Sequence, residues 1–76
     1  MRIHFGGHLA FYNPQEQNWL DYTLPESAAI CQVLAQLGIP SAEIALSVVN
    51  DKIADLETTV VNDNDTLQFY PPMDGG

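Results

Sequence analysis

Positive charge is what this sequence has least of. Arg2 and Lys52 are its only permanently cationic side chains, against ten carboxylates, and the formal net charge is −8. Two cations cannot neutralise a run of phosphates, which argues against nucleic-acid binding. The same balance argues against an anionic membrane surface and favours docking on basic partners. Cysteine is scarcer still. Cys31 is alone, so no internal disulfide can form, whereas a small secreted scaffold normally carries several. Its apolar neighbours point to a reduced, partly buried thiol rather than a nucleophile or a metal ligand. No apolar run approaches the ~18 residues of a membrane span. The opening MRIHFGGHLAFY lacks the long apolar stretch and small-residue cleavage site of a signal peptide. A cytoplasmic protein without membrane or nucleic-acid partners is expected.

The rest is the composition of a folded domain. Of 76 residues, 46% are hydrophobic and 16% charged, enough for one small core that hides about 60% of the unfolded surface. Ile3, Phe5, Leu9 and Phe11 all fall at odd positions, the period of a half-buried strand, with Gly6-Gly7 as a bulge or bend within it. The polar run 13–18 reads as a hairpin loop, and Trp19 to Leu24 as a returning strand. Ile30, Val33, Leu34 and Leu37 stand at i, i+3, i+4 and i+7, one apolar helical stripe. Gly38 can close that helix in the left-handed conformation, and Pro40 prevents its continuation. Ser27 is the expected N-cap, although Thr23 and Glu26 have capping-box spacing.

Ile44 to Val49 is β-branched and apolar, hence a buried strand, and Asn50-Asp51 turns it into a short strand at 52–54. After a connecting loop, Asn62-Asp63-Asn64-Asp65 is a polar turn in which Asn64 is a candidate for positive φ. Thr66 to Tyr70 is the last strand, ended by Pro71-Pro72. One helix with this strand order fits an α+β fold: a mixed sheet of four to five strands covered by the helix, the β-grasp or ubiquitin-like architecture. The stripe is expected to face Ile44, Leu46 or Val48. Residues 1–76 are read as a single such domain with a flexible Gly-Gly tail at about 73–76.

Catalytic machinery is thin. His4 and His8 on one strand face would stand about 13 Å apart, too far to share a metal. Asp63 and Asp65 lack the glycine and downstream glutamate of a calcium loop. No Ser, Cys or Lys has a base beside it, and no glycine-rich loop opens the helix. The tail remains: Gly76 would supply a carboxylate with no side chain near it, on an arm thin enough for a narrow channel.

The stretch Asn62 to Gly76, with its polar turn, short apolar strand, two prolines, two further residues and Gly75-Gly76, resembles the signature of the MoaD/ThiS sulfur-carrier family. Leu24-Pro25-Glu26-Ser27, Leu37-Gly38-Ile39-Pro40 and Val48-Val49-Asn50-Asp51 look like the same family. Asn64 and Asp51 replace usual glycines but tolerate their conformation. Ala29 falls where many members have a capping Thr. Asp74 stands where a small uncharged residue is common, which implies a basic channel mouth in the partner.

The resemblance implies that Gly76 is adenylated by a ubiquitin-activating-type adenylyltransferase using ATP and converted to a thiocarboxylate. The sulfur then goes to a synthase. Phe69-Tyr70-Pro71-Pro72 looks closer to the molybdopterin branch, where the carrier is the small subunit of the synthase, than to the thiamin branch; some members serve tungsten-cofactor pathways. No permanently bound cofactor or metal is implied, and the chain would not itself be an enzyme. Gly75 must be small to follow Gly76 into the partner. Phe69, Tyr70, Pro71, Pro72, Met73 and Asp74 are the expected partner contacts, and the exposed side of the sheet together with Phe69, Tyr70 and Met73 is expected to form an apolar patch rimmed by acidic residues. Tyr70 could instead belong to the core. Two other readings stand beside this one: a ubiquitin-like modifier conjugated through Gly76, and an interaction module that does not use its tail.

Overall fold

The computed structural model describes residues 1–72. Its main sheet has the order β2-β1-β7-β4-β5, from strands Arg2–Phe5 (β1), Trp19–Asp21 (β2), Leu46–Val49 (β4), Lys52–Ile53 (β5) and Thr66–Tyr70 (β7). β1 and β7 are parallel neighbours at its centre, and the other pairings are antiparallel. Ala28–Ala29 (β3) and Val60–Val61 (β6) form a separate two-stranded pair. Helix α1, Ile30–Leu37, follows β3 directly. This mixed sheet with one main helix is a β-grasp.

Alternation decides which side of each strand is buried. Ile3 and Phe5 of β1, and Leu67 and Phe69 of β7, are wholly buried with Ile30, Val33 and Leu34 of α1 in one cluster, and Leu37 packs at its edge. The stripe therefore points inward as expected, but its partners on β4 differ. Ser47 is paired with Phe69 and Val49 with Leu67, so these two face the core, while Leu46 and Val48 face away. Only Ile44, ahead of the strand, packs where expected. The Ser47 hydroxyl is satisfied by donating to the Ala54 carbonyl at 2.5 Å.

The chain also departs from the expected first hairpin. β1 ends at Phe5, Gly7 takes φ +51°, and Gly7–Tyr12 winds as a 3-10 segment. Three residues per turn replace the period of two. Leu9 drops into the core, whereas Phe11, expected on the same face, is 84% exposed. Asn13 organises the following loop from a buried position: its amide donates to the carbonyls of Gln17 and Trp19, and its Oδ1 accepts the Gln15 N–H. β2 stops at Asp21 rather than Leu24.

The N-cap of α1 is Ala29, not Ser27. Alanine has no side-chain acceptor, and the helix instead draws on its surroundings. Gln32 Oε1 accepts the Ala29 N–H, while the Ile30 and Cys31 N–H groups donate to the carbonyls of Thr59 and Leu56. These contacts satisfy first-turn donors that a capping side chain would otherwise hold. Gly38 closes the helix at φ +75°, as expected, and the Ile39 N–H returns to the Leu34 carbonyl. Asn50 and Asp51 both have positive φ, 50° and 71°, which suits a two-residue hairpin turn. Asn64 does not; its N–H donates to Asn62 Oδ1 while Asp65 Oδ2 accepts the Asn62 N–H, so side chains shape that turn. No described helix is long and apolar enough to cross a membrane.

Candidate functional site

β7 runs through the middle of the sheet, held by β1 on one side and β4 on the other, and carries the chain to Pro71 and Pro72. Its last ladder contacts are firm. The Gly6 N–H donates to the Phe69 carbonyl at 2.8 Å, and the Ala45 N–H to the Tyr70 carbonyl at 2.9 Å. Neither proline can donate further, so pairing stops there. Two 3-10 segments flank this exit: Gly7–Tyr12, and Ser41–Glu43 just before β4. His8 Nε2 reaches Glu43 Oε2 at 2.7 Å between them, and His8, Ala42, Glu43 and Pro72 line a shallow hollow.

The expected contact residues separate. Phe69 is 0% exposed and belongs to the core, which corrects its place in a surface patch. It shares the inward face of β7 with Leu67, the face buried in one cluster with the apolar stripe of α1. Tyr70 points the other way and is half-buried on the outer face, its hydroxyl donating to Gln68 Oε1 at 3.1 Å. Pro71 is half-buried and Pro72 exposed. Met73, Asp74, Gly75 and Gly76 lie outside the described residues.

The outer face, expected to carry the patch with Tyr70, also holds residues that the sequence did not assign to it. His4 sits beside Trp19 at 4.8 Å between ring centroids and beside Tyr70 at 5.8 Å. Register continues the row through Gln68 and Val48 to Ile53, which is 78% exposed, while Leu46 pairs with Tyr70. The Arg2 guanidinium lies 4.3 Å from the Trp19 ring centroid, and its Nε is 3.8 Å from Asp21. The signal that could have assigned these residues to it was the parity of β7. Once Leu67 and Phe69 are assigned inward, Gln68 and Tyr70 must point outward, and the register carries the assignment across the sheet.

His4 and His8 do not combine: one is on the sheet face and the other pairs with Glu43. Among the described residues no group of three or more His, Cys, Asp or Glu side chains could hold a metal. Cys31 is free and half-buried. At the other end of the sheet, Asp63 accepts the Leu24 N–H at 2.9 Å and the Met1 ammonium at 3.1 Å. These two donors, the backbone one foremost, hold its carboxyl below the ordinary aspartate range.

Fold and exit together define a ubiquitin-like β-grasp domain whose central strand delivers the C-terminal segment from one end of the sheet. Residues 12–76 match the ThiS family, and the chain belongs to it. Members of that family are small sulfur carriers, not enzymes, and work with adenylyltransferase and sulfur-accepting partners. The fold is also similar to the solution structure of a thiamine biosynthesis protein from Geobacter metallireducens. The match has a TM-score of 0.57 and 22% identity, and covers all of this chain and 88% of that one. No curated protein gives a significant match.

Proposed function

We propose that the chain carries sulfur as a thiocarboxylate on Gly76 and delivers it for thiamin synthesis. The match to the ThiS family over residues 12–76, which includes Gly75 and Gly76, carries this reading. It supports the thiamin branch over the molybdopterin branch to which the double proline pointed. The chemistry begins with a carboxylate oxygen of Gly76 attacking the α-phosphorus of ATP in the activating enzyme, expelling pyrophosphate. Hydrosulfide from the sulfur donor then attacks the acyl carbon, and AMP leaves with the bonding pair. The sulfur loses its proton to solvent, and the carbonyl carbon keeps the sulfur with no change of oxidation state. Gly75 and Gly76 offer no Cβ to a narrow channel.

Docking on the activating enzyme falls to the outer face: Trp19, Leu46, Val48, Ile53 and Tyr70, with His4 between the rings. Aromatic and aliphatic side chains of this kind form interface centres, and the acidic surface steers approach to a basic partner. Asp74 fits the same reading at the mouth of the channel. Intact-mass spectrometry after incubation with the activating enzyme, ATP and a sulfur donor tests the proposal. A gain equal to one sulfur replacing one oxygen is expected, discharged on a thiazole synthase. Discharge only on a molybdopterin synthase large subunit would move the chain to that branch, and isopeptide adducts on lysines without the sulfur gain would make it a modifier.

A further inference from the structure

The exit of β7 is more closely constrained than the end of a strand requires. On one side lie two glycines. A Cβ built on Gly6 would stand 2.7 Å from Tyr70 Cδ1 and 2.9 Å from the Phe69 carbonyl oxygen. The Tyr70 ring could rotate away, but that carbonyl is fixed by the 2.8 Å bond from the Gly6 N–H itself. Any side chain at Gly6 must therefore push the β7 backbone at the two residues before Pro71. A Cβ on Gly7 would meet Pro71 Cγ at 3.1 Å, at a φ of +51° that side chains rarely adopt.

On the other side, the Tyr70 carbonyl is tied to the Ala45 N–H, two residues after Glu43. The His8 Nε2–H donates to Glu43 Oε2 across a sequence separation of 35 residues, closing a clip between the two 3-10 segments. Pro72 lines the same hollow as His8, Ala42 and Glu43. Pro71 and Pro72 then have φ restricted near −65°, so a direction set at Tyr70 is passed on rather than lost at the first free rotation.

We infer that Gly6, Gly7 and the His8–Glu43 clip form a collar that aims the chain as it leaves the sheet, making them positioning residues for activation of the tail. This rests on the reading of Gly76 as the activated group. Docking belongs to the outer sheet face and aiming to the collar, so the two separate kinetically. A misdirected arm leaves the docked complex intact but lowers the fraction in which the carboxylate reaches ATP. Small misplacements of reacting atoms cost rate heavily.

The test is steady-state ATP–pyrophosphate exchange with the cognate activating enzyme, varying the carrier, together with NMR of the free carrier. His8→Ala is expected to lower kcat by about tenfold to a hundredfold with KM for the carrier within about twofold of the parent, while Gly6→Ala, which also displaces the Tyr70 ring of the docking face, should lower kcat and raise KM together. A variant that is merely less folded would instead raise the apparent KM alone. His8→Gln, which keeps an N–H donor towards Glu43, should recover most of the rate. If Gly6→Ala does not fold, His8→Ala alone decides, because its side chain is 61% exposed and contributes little to the core. An unchanged kcat in His8→Ala, or a raised KM with kcat preserved, overturns the collar. Should the parent chain itself not support exchange, the sulfur-carrier reading fails instead. Nuclear Overhauser contacts between Gly6 and the Tyr70 ring, and between the His8 ring and Pro72, then still judge the collar; their absence overturns it.

Discussion

Replacing Phe69 by alanine removes a whole ring from the centre of the molecule. Phe69 is 0% exposed, lies on the central strand, and is flanked in register by Phe5 on β1 and Ser47 on β4. A buried Phe→Ala change costs about 3–5 kcal/mol, combining lost transfer energy with the cavity left behind. At about 0.05–0.15 kcal/mol per residue, a chain of 76 residues has a stability of only about 4–11 kcal/mol. The substitution therefore removes between about a quarter and all of it. Each kcal/mol shifts Tm by about 4–8 °C in a domain of this size, so a fall of about 12–40 °C is expected. Urea titration and thermal melts followed by circular dichroism measure both quantities. Tyr70→Ala, one residue on but on the outer face, should destabilise far less. A Phe69→Ala loss below about 1 kcal/mol, outside the range for buried aromatics, together with faster dissociation from the activating enzyme, would return Phe69 to the surface and refute the register of β7.

Three further predictions follow from the same geometry. Trp19→Ala and Ile53→Ala should speed dissociation from the activating enzyme while added salt slows association; salt-independent association in surface plasmon resonance would remove the electrostatic part of the docking argument. Deleting Gly76 withdraws the carboxylate by about 3.5 Å and should abolish adenylation with circular dichroism unchanged, whereas full activity of the deletion leaves the tail without its role. Asp63 has a lowered carboxyl pKa in the folded state, so its contribution to stability is fully present above the ordinary aspartate range and fades as pH falls through the lowered value. Asp63→Asn should accordingly flatten the acid limb of a stability–pH curve measured by urea titration, and an unchanged slope would count against the Leu24 and Met1 contacts.

Local chemistry was readable wherever a residue's own backbone or its immediate neighbours decide the outcome. The stripe Ile30, Val33, Leu34 and Leu37 marks a helix because 3.6 residues per turn brings those positions together in any context. Gly38 stops it because glycine alone enters the left-handed region without a Cβ penalty. Asn50-Asp51 turns the β4–β5 hairpin for a related reason, and Pro71-Pro72 ends β7 because a proline has no N–H to give. The Gly75-Gly76 ending and its surrounding motif also named the family before any fold was known.

Tertiary structure decided the questions that depend on who the neighbour is. Period two says that residues alternate along a strand, not which set is inside. Leu46 and Val48 are as apolar as any core pair, yet the register with β7 turns Ser47 and Val49 inward and leaves them out. The same register took Phe69 from the expected patch into the core and left Tyr70 on the surface beside His4 and Trp19. Ala29 can cap a helix only because Gln32, Thr59 and Leu56 arrive to satisfy its first turn. His8 and Glu43, 35 residues apart, carry no joint pattern that spacing could show. The sequence by itself determined the helix and its glycine stop, the Asn50-Asp51 turn and the proline end of β7, because those follow from covalent geometry and short-range contacts. The inward and outer faces of the sheet and the contacts around the exit of β7 depend on long-range pairing, which only the folded chain specifies.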